Sequence, residues 1–360
     1  MLKTIKNRVW LGFAILLLVI SALSWVIFKP LSSFSVPLVG KQIIKPYPAQ
    51  AYQAKLVKLP ADDAPHDLQT EWWYYNGHLE TDDGQYFSFH YVVFLDNGLL
   101  TLTAVHVSVT DHQTGRRYTD QLRTGGNPSR GSVNGFNFNF ADWEMSGSGG
   151  YDVLKIKSTD FMFDLNLTEG KPATFHGGTG LLDFGKAGTS YYYSRTRMPT
   201  KGIIKVNGQQ FAVSGVSWFD HQWGDFRATQ LSWSWFSLQL DDGSDIMLYE
   251  LLDAEGKTLL NSGTLIKNDA IINLTDSDFS TESLSTWTSQ DTLIIYPMGW
   301  RVSILRHAID VTLIPEHQES EFDGRMTTHN AYWEGAVNVR GARPGKGFVE
   351  LGGYSLKPKH

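Results

Sequence analysis

The sequence predicts an all-β protein in which two related antiparallel β domains follow an N-terminal transmembrane helix. Three observations support this prediction: a long apolar segment near the N-terminus, many short runs of aromatic and β-branched residues between turn dipeptides, and an internal repeat. The chain has 360 residues, of which 42% are hydrophobic and 19% are charged, so two domains with packed cores are expected.

The first element is the apolar segment from Val9 to Phe28, which is uncharged and long enough to cross the ~30 Å hydrocarbon core of a bilayer. Basic residues at positions 3, 6 and 8 precede it, so the positive-inside rule places the body outside the cytoplasm. We therefore assign residues 1–29 to a signal anchor in a bacterial inner membrane, with the body in the periplasm. The alternative is a signal peptide cleaved near Ala22-Leu23-Ser24, which would leave a secreted or periplasmic protein.

Residues 30–61 follow as a tether, because prolines recur along them and favour an extended chain. The chain contains no cysteine, which excludes disulfides, thiol catalysis and cysteine-based zinc sites. Its net charge is −6 and no basic stretch alternates with aromatic residues, so nucleic acid is not an expected partner.

Strands are predicted throughout the remaining chain, for example from Gln85 to Leu95 and from Leu99 to Val109. Dipeptides of the Asn-Gly or Asp-Gly type separate such runs, at residues 83–84, 97–98, 207–208 and 242–243. These dipeptides favour the primed turns of β-hairpins. No long segment shows the period of a helix, which favours barrels or sandwiches.

Two short patterns occur in both halves of this region. Leu79–Gly84 matches Leu238–Gly243, and each ends in Asp-Asp-Gly. Gly202–Gly208 matches Gly335–Gly341 late in each half. Matches at both ends of each half indicate a duplicated β domain.

The duplication places one domain at residues 62–225 and the other at residues 226–358. The copies differ at Glu71, which becomes Gln230 in the second half. The segment from Asp220 to Trp223 also has no counterpart near the end of the second half. Any chemistry is therefore expected on the first half and at the junction between the halves.

The junction contains the densest cluster of candidate catalytic side chains, Asp220, His221 and Asp225, with Trp218 and Trp223 beside the imidazole. Apolar rings raise the pKa of a carboxyl group by desolvation, and carboxylates can orient and tune a histidine. This segment can therefore build a proton-transfer site. The alternative is a hydrogen-bond network that satisfies buried polar groups at a domain junction.

A second cluster begins at Glu71 and continues with Trp72, Trp73, Tyr74 and Tyr75. On a strand these side chains alternate between the two faces, so two of the four rings face inward. Glu71 would then lie beside inward-facing rings as a candidate acid. Simple core packing is the alternative for each ring.

Trp333-Glu334 repeats the pairing of a carboxylate with an indole, although Glu334 could instead form a structural salt bridge with Arg195 or Arg197. Four histidines stand at positions 66, 78, 90 and 106, in spacings that fit no familiar metal-ligand pattern. We therefore predict no metal site. The chain has neither a phosphate-binding glycine loop nor a Gly-x-Ser-x-Gly motif, so no cofactor is predicted.

Four segments together resemble the AttH/CrtC family, which includes carotenoid 1,2-hydratases, relatives encoded beside ABC transporters, and fungal pericyclases. They are Asp63–His66, Glu71–Tyr74, Asp220–Gly224 and Tyr332–Gly335. The resemblance extends from about residue 62 to residue 354. It implies two tandem lipocalin-like antiparallel β-barrels, a fold that can enclose one apolar ligand.

The resemblance also implies roles for individual residues. His221 and Trp223 match the functional His-x-Trp of the family, and Tyr249 matches a functional tyrosine. The hydratases carry an essential aspartate two residues beyond that tyrosine, where this chain has Leu251. Glu250 and Asp253 are close to this position, but adjacent or shifted strand positions need not point the same way.

Three functions follow as expectations. The first is a membrane-anchored, periplasm-facing protein that binds an apolar lipid- or isoprenoid-like ligand in an envelope process beside an ABC transporter. The second is an enzyme acting on such a ligand, either a hydratase-like lyase or a hydrolase, with Asp220, Asp225 or Glu71 as proton donor and His221 as relay. The third is a structural β module that binds a partner. The expected ligand-binding residues are Trp72, Tyr74, Trp218, Trp223, Tyr249, Trp333 and Glu334.

Overall fold

A computed structural model describes residues 57–129, 134–228, 231–253, 256–267 and 270–354. The predicted anchor at 1–29 and most of the predicted tether lie outside these residues. No helix in the described ranges is both long and apolar enough to cross a membrane. Short 3-10 turns occur at Ala61–Asp63, His176–Gly178, Gly185–Ala187 and Leu305–His307.

The rest of the described chain is antiparallel β structure. The first twelve strands are β1 Thr70–Glu80, β2 Tyr86–Asn97, β3 Thr101–Asp111, β4 Arg116–Gly125, β5 Phe136–Phe140, β6 Trp143–Ser148, β7 Tyr151–Lys157, β8 Phe161–Leu167, β9 Thr174–Phe175, β10 Leu181–Asp183, β11 Thr189–Val206 and β12 Gln209–Gly224. The remaining ten are β13 Ser232–Leu240, β14 Asp245–Leu252, β15 Thr258–Lys267, β16 Ala270–Thr275, β17 Ser280–Thr288, β18 Ile295–Ile304, β19 Ile309–Pro315, β20 Glu321–Asp323, β21 Ala331–Gly341 and β22 Gly345–Gly352.

The first sheet has the strand order β4-β3-β2-β1-β12-β11-β8-β7-β6-β5, with β9 and β10 also paired to β11. This sheet curls around its own core. Trp73 on β1 packs against Phe138 on the edge strand β5, with ring centroids 4.7 Å apart. Near the other edge, Ser158 donates a hydrogen bond of 2.5 Å to Asp120 on β4. One face of the sheet is therefore concave and lined by apolar side chains.

The second sheet has the order β16-β15-β14-β13-β22-β21-β19-β18-β17, with β20 paired to β21. Six strands of the first sheet, in the order β4-β3-β2-β1-β12-β11, correspond one by one to six strands of the second sheet, in the order β16-β15-β14-β13-β22-β21. The two repeated patterns form the same hairpins, β1–β2 with β13–β14 and β11–β12 with β21–β22. The predicted internal repeat is confirmed.

The observed architecture differs from the prediction of two closed barrels. In the described part of the chain no backbone ladder joins β4 to β5, or β16 to β17, so each sheet is an open half-barrel. Alternating strands specify a concave face, but closure also requires the two edges to meet in register. The all-β prediction is confirmed in this coarser form, as two large curled antiparallel sheets.

The predicted primed turn occurs at one of the four dipeptides. Asn207 and Gly208 both have positive φ, 51° and 76°, as a type I′ turn requires. At Asp83-Gly84 and Asp242-Gly243 only the glycine has positive φ, and at Asn97-Gly98 neither residue does. The extra residues in those three connections permit wider turns.

The two sheets pack against each other within one compact unit. Strand β1 contributes side chains to both sides of this packing. Trp73 and Tyr75 point into the core of the first sheet, whereas Tyr74 belongs to a third apolar cluster shared with the second sheet. The predicted alternation is confirmed, but both faces of β1 are covered, so the outward ring is also buried.

Candidate functional site

The candidate functional site is a cavity of about 470 Å³ between the two sheets. The outer face of β1, β2 and β12 forms one wall, and β13, β14, β21 and β22 form the other. A volume of this size is in the range of small-molecule sites. The cavity therefore depends on both halves of the chain.

Aromatic side chains form most of the cavity walls. Trp235 packs edge-on against Tyr74, with ring centroids 5.3 Å apart, and Trp72 packs edge-on against Phe226 at 5.6 Å. Tyr249 lines the wall supplied by β14. Such walls bury large apolar area while presenting ring faces to a ligand.

Asp220 is the buried acidic group of the first wall. Its carboxylate accepts hydrogen bonds from the indole N–H of Trp218 at 2.6 Å, from the hydroxyl of Tyr192 at 2.5 Å, and from Ser194. Burial raises the pKa of Asp220 to about 7, although these three donors lower it. A carboxyl group poised near neutrality can either give or accept a proton.

Glu334 on β21 is one of two acidic groups of the second wall. Its Oε1 accepts a hydrogen bond from Tyr74 at 2.7 Å, and its Oε2 has no hydrogen-bond partner among the described residues. Burial, followed by the charge of Glu350, raises the pKa of Glu334 well above its ordinary value. Arg117 donates to the main-chain oxygen of Glu334 at 2.9 Å. Burial therefore favours the protonated form of Glu334.

Glu350 on β22 is a third acid of the cavity, and the sequence analysis missed it. Trp233 donates its indole N–H to Glu350 Oε1 at 3.0 Å, and burial raises the pKa of Glu350 to about 7. The available signal was a single carboxylate inside the otherwise apolar strand Gly347–Leu351. Nothing in that local pattern indicates which face of the strand is covered.

A separate polar cluster lies inside the first sheet. Glu71 Oε1 accepts hydrogen bonds from His66 Nδ1 at 2.7 Å and from His221 Nε2 at 2.8 Å. Glu71 Oε2 accepts the main-chain N–H of His66 at 2.8 Å. Burial lowers the pKa of His221, against the opposing effect of Glu71. The cluster is buried except at His66, whose side chain is 22% exposed.

Aromatic stacking orients both imidazoles. The ring of His221 lies 4.5 Å from Trp73 and 4.5 Å from Trp223, and the ring of His66 stacks on Trp223 at 4.1 Å. The ligating atoms of His66, Glu71 and His221 lie within 4.8 Å of one another. Imidazole and carboxylate are zinc ligands. The close mutual hydrogen bonds also satisfy these groups without an ion, and the prediction of no metal remains a prediction.

Asp63 anchors the next layer of this cluster. Its carboxylate receives Arg195 Nη2 at 3.0 and 3.1 Å, the main-chain N–H of Gly149 at 2.7 Å, and the hydroxyl of Tyr193. Tyr193 in turn lies 3.4 Å from His221 Nδ1. Because Asp63 and Arg195 are both buried, this pair holds the N-terminal segment of the described chain against the sheet.

The structure divides the predicted site residues among several places. Trp72, Tyr74, Asp220, Tyr249 and Glu334 line the cavity. Trp218 supports the cavity from behind, through Asp220 and an edge-on contact with Trp235.

The remaining predicted residues lie away from the cavity. Glu71, His221 and Trp223 are in the interior of the first sheet, and Trp333 is in the core of the second. Asp225 is exposed just beyond β12.

The predicted relay from Asp220 through His221 is not formed. Adjacent residues of a strand point to opposite faces, so Asp220 faces the cavity and His221 faces the core of the first sheet. The proposed salt bridge of Glu334 with Arg195 or Arg197 is also absent. Arg195 pairs with Asp63, and Arg197 pairs with Asp245 at 2.6 Å.

The surroundings of Leu251 show whether the neighbouring Glu250 could take the place of the aspartate that the hydratases carry. Leu251 and Tyr249 share one face of β14, and both belong to the apolar cluster between the sheets. Glu250 points to the other face, where Thr281 donates a hydrogen bond to it. Glu250 therefore cannot replace the aspartate that the hydratases carry at position 251.

A two-sheet β protein with an aromatic, carboxyl-lined cavity between its sheets is the class that the fold and site define. The model of the AttH-like family matches residues 50–354, and the chain belongs to this family. The resemblance inferred from the four sequence segments is confirmed.

Individual relatives agree with this assignment. A protein from Nitrosomonas europaea assigned to AttH has a TM-score of 0.77 at 28% identity, over 84% of this chain and 98% of that one. Kievitone hydratase from Nectria haematococca has a TM-score of 0.68 at 18% identity, over 83% and 93%, and shares the fold. Kievitone hydratase from Fusarium solani subsp. phaseoli is 23% identical over 205 residues, 54% of this chain. The matched region spans about half the length (55%) of that curated relative.

Proposed function

We propose that the protein binds an apolar, isoprenoid- or lipid-like ligand between its sheets and adds water across a carbon–carbon double bond of that ligand. The observation that carries this proposal is the convergence of Asp220, Glu334 and Glu350 on one aromatic cavity. Burial raises the pKa of each carboxyl group, to about 7 for Asp220 and for Glu350. Alkene hydration needs such an acid, protonated at working pH. The hydratase names of two relatives support the same reaction class.

Glu334 is the proposed proton donor. Tyr74 occupies its Oε1, so the proton is carried on Oε2 at the cavity wall. Transfer of this proton to one alkene carbon breaks the π bond and leaves positive charge on the more substituted carbon. Ring faces such as those of Trp72 and Tyr249 stabilise this charge by ~0.5–2 kcal/mol each.

Glu350 is the proposed base. Trp233 orients one of its oxygens, and the other can accept a proton from the water that attacks the cation. The net change is the addition of one hydrogen and one hydroxyl group. The proton gained by Glu350 returns to Glu334 through water, which restores both groups.

Binding without turnover is the second candidate function. It is favoured by Leu251, which stands where the hydratases that this sequence resembles carry an aspartate. The cavity would then hold a lipid for an envelope process beside an ABC transporter, with residues 1–29 anchoring the body to the inner membrane. The two lipocalin-like half-barrels would act as a lipid-binding pair.

Native mass spectrometry of the full chain, purified from its own membrane extract, tests these functions when combined with lipidomics of the released molecules. We expect Glu334→Gln to retain an unconverted apolar ligand and wild type to release a product heavier by one water molecule. Turnover of the identified ligand should fall by ~10²–10⁴-fold in this variant. Glu250→Gln is the matched control, because Glu250 is a glutamate in the second sheet outside the cavity.

The alternative outcomes are distinct. The same unchanged ligand from wild type and Glu334→Gln would establish binding without turnover. An empty protein in every case would contradict both functions and favour a structural module.

A further inference from the structure

Three of the acidic side chains that line the cavity, Asp220, Glu334 and Glu350, have no basic side chain in direct contact with their carboxyl groups. None of the ion pairs among the described residues involves Asp220, Glu334 or Glu350. Arg117 approaches Glu334 but donates to its main-chain oxygen rather than to its carboxyl group. Arg123 and Arg227 also line the cavity, but neither forms an ion pair with these three acids among the described residues.

Glu334 supplies a second and independent sign of a ligand. Its side chain is fully buried, it lines the cavity, and its Oε2 has no partner among the described residues. Buried polar atoms in proteins nearly always have a partner. A group on the ligand that meets Oε2 would satisfy this requirement.

The spacing of the acids argues against a metal ion as that group. A divalent ion holds its oxygen ligands at ~2.0–2.6 Å, which brings them close together. Within the described ranges, the group of residues that brings three ligand atoms within 4.8 Å is His66, Glu71 and His221. The three cavity carboxyls do not meet this limit, so a larger and more diffuse charge fits better.

The aromatic walls favour the same conclusion. Trp72, Tyr74, Trp235 and Tyr249 line the cavity together with the acids. Ring faces attract organic cations, and cages of such rings recognise quaternary ammonium groups. Acids spread among rings suit a bulky, weakly hydrated cation.

We infer that this cavity recognises a positive centre carried on an apolar body, and that a lipophilic ammonium ion is the class of stable ligand that it binds. The inference rests on the proposed function, because it assigns a charge to the ligand of the same cavity. In the proposed hydration the transient carbocation is the positive centre. A stable ammonium ion of similar shape would occupy its place.

The groups around the acids define the expected pH dependence. Burial raises the pKa of Tyr74, Tyr192, Tyr249 and Tyr332 and lowers that of His106 to about 3, so these groups stay neutral near pH 7. Arg117, with a pKa lowered by burial to about 10, stays charged. The cavity lining also contains four further ionisable side chains, those of Arg123, Arg227, His329 and Asp96. Asp220 and Glu350, each with a pKa of about 7, are therefore the acids that ionise in this range.

The experiment compares two probes on the full chain in lipid nanodiscs, with empty nanodiscs as the blank. Octyltrimethylammonium has a charge that does not titrate, and 2-methyl-2-decanol is a neutral molecule of similar branching. Isothermal titration should show the cation binding at least about tenfold more tightly at about pH 8. The affinity for the cation should rise from about pH 6 to pH 8 as the acids ionise, whereas that for the alcohol should not.

Two variants locate the effect. Asp220→Asn and Glu350→Gln should each reduce the preference for the cation at about pH 8 while retaining alcohol binding, which also shows that the cavity is folded. Glu250→Gln should behave like wild type.

Equal affinity for both probes would overturn the cation inference and leave apolar binding intact. A preference for the cation that survives both cavity variants would also overturn it, because the charge would then be recognised elsewhere. Binding of neither probe would contradict the inference together with the cavity function on which it rests.

Discussion

Asp220 and His221 are neighbours in the chain but face different surroundings. Asp220 reaches the cavity between the sheets, and His221 stacks between Trp73 and Trp223 inside the first sheet. Both are buried, so each depends on polar partners on its own side of the strand. The junction segment thus supplies a group to the cavity and a group to the core rather than one joint site.

Glu350 should make the free energy of unfolding depend on pH. Its folded pKa of about 7 exceeds its ordinary value of 4.5 because of burial. The stability that this group contributes is therefore present below about pH 4.5 and is lost as the pH rises through 7. We expect Glu350→Gln to gain roughly 3 kcal/mol relative to wild type between pH 4 and pH 8, measured by urea denaturation.

The control for this prediction is Asp310→Asn. Asp310 is exposed, and its pKa is lowered to about 2 by the hydrogen bond from Arg301. This variant should not change the pH slope between pH 5 and 8. Identical slopes for wild type and Glu350→Gln would contradict the raised pKa.

The buried pair of Asp63 and Arg195 should be sensitive to loss of one partner. Arg195→Met leaves the Asp63 carboxylate buried without its counter-charge, and we expect a loss of about 3–5 kcal/mol in the free energy of unfolding. Arg301→Met breaks an exposed pair with Asp310 and should cost less than about 1 kcal/mol. Equal losses in chemical denaturation would show that burial does not set the value of these pairs.

At the scale of the element, strand β1 is covered on both faces. It pairs with β2 and β12, and its two faces belong to different apolar clusters. An antiparallel strand usually has one solvated face. The density of aromatic residues from Trp72 to Tyr75 agrees with burial on both sides.

The close pairing of β1 with β12 predicts a strong effect at Gly215. A Cβ atom at this position would lie 2.0 Å from the main-chain oxygen of His78, so the ladder would have to separate locally. We expect Gly215→Ala to destabilise the protein by about 1–3 kcal/mol in thermal or urea unfolding.

Gly125 on the edge strand β4 is the matched control, since a Cβ there would meet nothing within 4 Å. Gly125→Ala should be neutral or slightly stabilising, because alanine has less backbone entropy to lose on folding. A neutral result at Gly215 would mean that the ladder can shift without cost.

At the scale of the whole molecule, Asp245 joins the two sheets. This buried carboxylate on β14 accepts Arg197 Nε at 2.6 Å, Lys171 Nζ at 2.6 Å and Thr196 Oγ1 at 2.8 Å. All three donors belong to the first half of the chain. The contact therefore couples the folding of the second sheet to that of the first.

Asp245→Asn should weaken this coupling. We expect a loss of about 3–5 kcal/mol, because two cations lose a buried counter-charge, and faster hydrogen exchange in β13 and β14 than elsewhere. Asp241→Asn, at an exposed neighbouring position, should leave exchange unchanged. Uniform acceleration over both sheets in Asp245→Asn would contradict a local role at the sheet interface.

Much of the architecture follows from local pattern. Alternating aromatic and β-branched residues predicted strands such as β2 and β3, and the repeated patterns predicted two sheets of related topology. The faces of Trp73 and Tyr74 follow from the two-residue period of a strand. Open rather than closed sheets could not be predicted, because closure depends on edge strands that are distant along the chain.

The sequence by itself determined the fold class, the duplication and membership of the AttH-like family, because these depend on residues close together or on whole-segment patterns. Only the tertiary structure decided that Asp220, Glu334 and Glu350 share one cavity while Glu71 and His221 do not. The physical reason is that the cavity arises where two sheets pack face to face. Packing between the two halves of the chain decides which face of each strand is covered. Desolvation on the covered faces then raises the pKa values of the carboxyl groups.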